Sequence, residues 1–83
     1  MKAEDVVVKM SGLLPGQEVY IEWSVIVVAG MDGTFAVVDN VCEESGLDAD
    51  EAAKLAAEWV NVNRDIDLRS AQMASRYAPG GAA

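Results

Sequence analysis

The sequence predicts an α+β domain in which an antiparallel three-stranded sheet, built from hairpins, is covered by one or two C-terminal helices. Three observations predict this class. Residues 5–42 contain apolar segments that either alternate with polar residues or are rich in β-branched residues, as strands do. After Leu47, apolar residues recur at helical spacing. A chain of 83 residues has room for only one hydrophobic core. We therefore expect a single small domain over residues 1–78 and a flexible tail over residues 79–83.

Two strands are predicted in the first third of the chain. Asp5–Met10 is rich in valine and predicts the first strand. Pro15-Gly16 then favours a type II turn. Val19–Val28 alternates and predicts a second strand, of which one face is apolar throughout, whereas the other becomes apolar only at Ile26 and Val28.

A second reversal is predicted at Asp32-Gly33, because this dipeptide supplies the positive φ that tight turns need. A third strand is predicted over Thr34–Cys42, with Phe35, Val37 and Val41 on one apolar face that Asp39 interrupts. The apolar faces of the long strands require a cover, and the helical half of the chain is expected to provide it.

The helical half begins at Asp48, which forms a capping box with Glu51 three residues later. A stripe of small and large apolar residues follows at spacings of three and four: Ala52, Leu55, Ala56 and Trp59. Asn61–Asp65 is poor in helix formers, so we expect a break or bend there. A second helix is predicted from Asp65 or Asp67.

The charge composition restricts the classes of partner. There are 14 acidic and 6 basic residues, a net charge of −8, and no histidine. Such a surface repels phosphate backbones, so we expect no direct nucleic-acid binding, and it attracts a basic protein or protein complex. Solubility alone is the other explanation of the charge.

Compartment and assembly are predicted from simple features. The single Cys42 excludes an intramolecular disulfide, and the acidic N-terminus does not resemble a signal peptide. The longest apolar run, Val25–Met31, is too short to cross a membrane. We expect a cytoplasmic protein with no membrane partner, and its small size leaves homodimer formation open.

No enzyme chemistry is predicted. Without histidine, a serine or cysteine nucleophile has no imidazole base. Cys42 is flanked by Glu43 and Glu44, which disfavours a reactive thiolate, so a half-buried structural role is expected. The carboxylate spacing does not fit a calcium loop, and we predict no catalytic residue, no metal and no cofactor.

An acidic run is the strongest candidate for a binding surface. It contains no basic residue and lies where the third predicted strand leads into the helix. The run comprises Glu43, Glu44, Asp48, Asp50 and Glu51. These five residues, together with Glu58, are predicted to contact a partner. Helix capping and a solvated face are the alternative explanations of these acids.

A hairpin sheet covered by an alanine-rich helix ending in Glu58-Trp59, in a tiny acidic chain, resembles small phage-encoded anti-CRISPR proteins in architecture, size and charge. The resemblance implies a stoichiometric inhibitor that mimics nucleic acid and blocks the basic DNA-binding surface of a CRISPR effector complex. Two other functions are consistent with the same features: a self-associating structural or assembly protein, and an antitoxin-like module that neutralises a basic enzyme.

Overall fold

The computed structural model describes the backbone of residues 1–77 and the side chains of residues 1–72. Six elements follow one another along the chain: α1 (Ala3–Met10), β1 (Glu18–Tyr20), β2 (Ile26–Ala29), β3 (Phe35–Val38), β4 (Glu43–Leu47) and α2 (Ala49–Tyr77). The predicted α+β class is confirmed. The predicted number of strands is wrong, because the sheet has four strands and a helix precedes it. The predicted tail, residues 79–83, lies outside the described residues.

The sheet is an antiparallel meander in the order β1-β2-β3-β4. α2 covers one of its faces, and α1 packs beside α2. Val27 and Val37 are paired across β2 and β3 and are both fully buried under α2. The helix contributes four alanines and a valine to the same core: Ala52, Ala53, Ala56, Ala57 and Val60. These small side chains let α2 lie close to the strands.

The first predicted strand is in fact α1. Its N-terminus is fixed by the Lys2 backbone N–H, which donates to the Asp5 carboxylate at 3.3 Å. Val6 and Met10 lie four residues apart and are buried, whereas the intervening Val8 is exposed. Burial of one helical stripe therefore outweighs the β preference of three consecutive valines.

The second predicted strand is divided by a tight turn into β1 and β2. Ile21 N–H donates to the Val25 carbonyl at 2.8 Å, and Val25 N–H donates to the Glu22 carbonyl at 2.9 Å. Trp23 and Ser24 form the turn with φ of 52° and 68°. Both are in the left-handed region, which turns of this kind normally fill with asparagine and glycine. Nothing in the local sequence therefore signals the reversal.

The third predicted strand is also divided, into β3 and β4. The Asp39 carboxylate accepts from the backbone N–H of Val41 at 2.9 Å and of Cys42 at 2.8 Å. Asp39 N–H donates to the Cys42 carbonyl at 2.9 Å, which closes the turn. An aspartate that bonds to the backbone two and three residues later is a turn-forming device. The interruption of the apolar face at Asp39 was its signal.

The predicted break in the helix is wrong, since α2 runs without interruption through Asn61–Asp65. The asparagine side chains are engaged elsewhere and do not compete with the helix backbone. Asn61 accepts from the Met1 amino group at 2.6 Å and donates to the Met1 carbonyl at 3.1 Å. The Asn63 side chain donates to the Trp23 carbonyl at 2.9 Å.

The C-terminal part of α2 extends beyond the sheet. A helix of 29 residues is about 43 Å long at 1.5 Å per residue, and the longest dimension of the molecule is 57 Å. Every residue from Arg64 to Gln72 is exposed. We call the end of the sheet at which α2 extends past the strands, which is formed by the β1–β2 and β3–β4 turns, the free end.

Candidate protein-binding surface

Glu43 and Glu44 lie on β4, an edge strand of the sheet, and not in a loop leading to the helix. Glu43 is opposite Val38 and Glu44 is opposite Val37. Opposed residues of an antiparallel pair share a face, so Glu43 points away from α2 and Glu44 points toward the helix side at the edge. An extra residue in β4, with Gly46 at φ 72°, forms a bulge before the strand ends.

Asp48, Asp50 and Glu51 each have a local role at the start of α2. Glu51 N–H donates to the Asp48 carboxylate at 2.7 Å, and Asp48 N–H donates to the Glu51 carboxylate at 3.0 Å. The predicted capping box is confirmed. The Asp50 carboxylate lies 2.9 Å from the Lys54 ammonium and raises the pKa of that lysine. Both side chains are exposed, so this pair contributes little to stability.

The local role of Asp48 gives a direct prediction. Replacement of Asp48 by alanine removes the acceptor for an otherwise unpaired N–H of α2 and should lower the free energy of unfolding by about 1 kcal/mol. Asp48→Asn keeps an acceptor oxygen and is expected to remain within a few tenths of a kcal/mol of the parent. Urea unfolding followed by circular dichroism measures both. Equal stability of the two variants would contradict a capping role.

The six predicted contact residues thus lie on β4 and on the first turns of α2, which follows it directly. Within the described residues, the carboxylates of Glu43, Glu44 and Glu58 make no hydrogen bond or ion pair. Glu58 is exposed on α2, two turns after the capping box. Charge on an edge strand also prevents unwanted pairing with other strands, so Glu43 and Glu44 protect the edge in addition to any binding role.

The face of the sheet opposite α2 is apolar and uncovered, and we call it the outer face. It consists of two rows of paired residues: Glu18, Val28 and Ala36, and then Tyr20, Ile26, Val38 and Glu43. The apolar residues at its centre, Ile26, Val28, Ala36 and Val38, are half-buried, and Tyr20 on the edge strand β1 is 61% exposed. The sequence held a signal for this face, because the second side of Val19–Val28 becomes apolar at Ile26 and Val28.

The strands and turns of the sheet and the start of α2 carry carboxylates and no basic residue. Between Lys9 and Lys54 the sequence has no basic residue. The same interval carries these carboxylates: Glu18, Glu22, Asp32, Asp39, Glu43, Glu44, Asp48, Asp50 and Glu51. Lys9, Lys54 and Arg64 lie on the helices. The outer face is therefore an apolar centre between carboxylates, with no cation within its own strands.

The outer face is small. Three spacings between four strands span about 14 Å, and strands of four residues are about 13 Å long. A stable interface buries roughly 800 Å² on each partner, several times the area of a patch of these dimensions. A partner therefore has to engage the carboxylates around the face as well as its apolar centre.

Other kinds of site have little support in the part of the chain that the structure describes. No three potential metal-ligating side chains come together there. None of the described helices combines the length and apolar composition of a membrane span. Cys42 is exposed in the turn between β3 and β4, so the predicted half-buried position is wrong.

Comparison of the chain with protein-family models, with curated proteins and with solved structures finds no match in any of the three.

Proposed function

We propose that this protein is a non-enzymatic binding module whose outer face docks on a basic, apolar-centred surface of another protein. The observation that carries the proposal is the uncovered apolar face in a layer that has carboxylates and no cation. An apolar centre with a charged border has the composition of a protein–protein interface, in which an apolar core is surrounded by a polar rim. Carboxylates at the rim add long-range attraction to a basic partner and select against acidic ones.

The charge of the outer face argues for a different protein as its occupant and not for a second copy. Two copies meeting face to face would bring Glu18 and Glu43 of each copy toward carboxylates of the other. Like charges brought together at an interface cost several kcal/mol, and the face is too small to compensate by apolar burial. A partner surface rich in lysine and arginine is not repelled by these carboxylates, and its binding does not depend on apolar burial alone.

Basic surfaces with apolar or aromatic centres are common in proteins that bind nucleic acid. Occupation of such a surface by this acidic sheet would exclude the nucleic acid, and the module would act as a stoichiometric inhibitor. Glu43 lies on the docking face itself, and the other five predicted contact residues extend the negative field along β4 and α2. The resemblance to anti-CRISPR proteins makes a CRISPR effector complex the first partner to test.

The proposal is tested by adding the protein to a purified CRISPR effector complex and measuring DNA binding at ionic strengths from about 0.05 M to about 0.5 M. We expect loss of DNA binding at a one-to-one ratio in low salt, with the inhibition weakening as salt rises. The same assay applies to any basic nucleic-acid-binding complex captured from the native host. An inhibitor that remains bound while its partner binds DNA with full affinity would contradict the proposal.

A further inference from the structure

A cleft of about 330 Å³ lies at the free end of the sheet, where α2 leaves it. Three segments line it: the β1–β2 turn, the β3–β4 turn and the exposed stretch of α2. The lining residues used below are Trp23, Asp39, Val41, Asn63, Ile66 and Asp67. A volume at the lower limit of ligand sites suits one side chain or a small molecule.

The floor of the cleft is tied together by Asn63. Its side-chain nitrogen donates to the Trp23 carbonyl at 2.9 Å and to the Asp39 carboxylate at 3.4 Å. One side chain of α2 thus contacts both turns. Because Asp39 also accepts from the backbone of its own turn, the carboxylate is held in place before any ligand arrives.

The chemistry of the lining is that of a cation receptor. Trp23 supplies an indole that is 36% exposed, and Asp39 and Asp67 supply two carboxylates. Hydrogen bonds from the Val41 and Cys42 N–H groups and from Asn63 hold the pKa of Asp39 below its usual value, so it is ionised at neutral pH. The lining contains no basic side chain. Arg64, one turn before Asp67, lies 3.8 Å from the carboxylate of Asp65 instead.

The apolar side chains favour a guanidinium over an ammonium ion. Val41 is 87% exposed and Ile66 is 55% exposed, and both line the cleft. A guanidinium is planar, weakly hydrated and able to stack on an indole while it bonds to a carboxylate. An ammonium ion is compact and strongly hydrated, and gains less from such a lining.

We propose that this cleft binds the guanidinium group of an arginine side chain on the partner protein. The cleft is open, since Asn40, Val41 and Asp67 are exposed, and an open site suits a side chain whose backbone stays outside. It lies at the end of the sheet where the last row of the outer face, Tyr20, Ile26, Val38 and Glu43, leads into the two turns, and it opens on the side that carries α2. The inference rests on the proposed function for the existence of a partner.

The test uses a capped arginine, N-acetyl-arginine methylamide, titrated into the ¹⁵N-labelled protein and followed by NMR. We expect saturable shifts of the Trp23 indole N–H, the Asn63 side-chain amide and the Val41 N–H, while the indole of Trp59, which packs against the core, stays unchanged. The neutral isostere N-acetyl-citrulline methylamide should cause no such shifts. Equal shifts with both compounds, or none with capped arginine, would overturn the inference.

Two variants locate the site, with a matched control. Asp67→Asn should weaken binding of capped arginine about fivefold, and Trp23→Asn should abolish it while keeping the fold, because asparagine tolerates positive φ. Asp65→Asn makes the same change of charge outside the lining and should alter the affinity less than twofold. Equal losses for Asp65→Asn and Asp67→Asn would overturn the inference.

Failure of this inference is distinct from failure of the proposed function. The titration is read at Trp23, Val41 and Asn63, which line the cleft, so it tests the cleft and not the outer face. If inhibition of the partner persists while capped arginine does not bind, only the cleft inference fails. If capped arginine binds while Trp23→Asn leaves partner affinity unchanged, the cleft does not serve the partner, and the inference fails in that respect.

Discussion

Replacement of Ala56 by leucine is expected to destabilise the protein by about 3 kcal/mol. Ala56 is fully buried in the core that α2 shares with the sheet and with α1. A larger side chain there forces α2 away from the elements packed against it and opens that core. A single core in so small a domain supplies no more than about 5 kcal/mol, so a large part of the stability should be lost.

Ala71→Leu is the matched control, since Ala71 is exposed on the same helix. It makes the same change of volume without a packing partner in the sheet. Urea unfolding of both variants, followed by the circular dichroism of the helices, measures the difference. Comparable stability of the two variants would show that α2 does not lie against the strands as described.

Replacement of Tyr20 by alanine should weaken partner binding about 30-fold with little change in stability. Tyr20 is the largest apolar side chain on the outer face and lies outside the buried core. Tyrosine is among the residue types that most often account for about 2 kcal/mol or more of binding free energy at an interface. Affinity is measured by titration calorimetry against the partner identified by the inhibition assay.

Leu68→Ala provides the control for Tyr20. Leu68 is similarly exposed, but it lies on the part of α2 that extends beyond the sheet. Truncation there should leave the affinity unchanged within about twofold. A larger loss of partner affinity for Leu68→Ala than for Tyr20→Ala would indicate that the interface lies on α2 and not on the sheet.

The sequence predicted those features that depend on a local pattern. The α+β class, the capping box of Asp48 and Glu51, and the alanine stripe of α2 all follow from spacing and residue type, and the structure contains them. The N-terminal helix was missed because its valines favour strands, and only burial of Val6 and Met10 against α2 selects the helix. Tertiary packing of this kind has no signature within eight residues.

The two unpredicted turns have different causes. The β3–β4 turn has a signal in the sequence, because Asp39 interrupts the apolar face of the predicted third strand. Trp23 and Ser24 carry no such signal, since both adopt positive φ without being glycine or asparagine. Left-handed backbone at such residues costs of order 1 kcal/mol or more and persists where the surrounding structure imposes it. Here the hydrogen bond from Asn63, 40 residues away, contributes to that constraint.

The candidate site was predicted in part. The exposed acids of the run from Glu43 to Glu51, and Glu58, were identified from the sequence, but their division between an edge strand and a capped helix was not. The outer face escaped prediction because a strand thought to run from Val19 to Val28 has only two apolar residues on its second side. Once β1 and β2 are separate strands, Tyr20 is paired with Ile26, and the apolar rows become apparent.

The central claim is that the carboxylate-edged outer face is the docking surface. Its most direct test is the affinity of the double variant Glu18→Lys/Glu43→Lys for the partner, compared with that of Glu4→Lys/Asp65→Lys, which changes the net charge equally on the helices. We expect at least a 100-fold loss for the sheet variant, because basic groups then face a basic partner, and a loss of about threefold or less for the helix variant. Equal losses for the two double variants would contradict it and would leave only an effect of net charge.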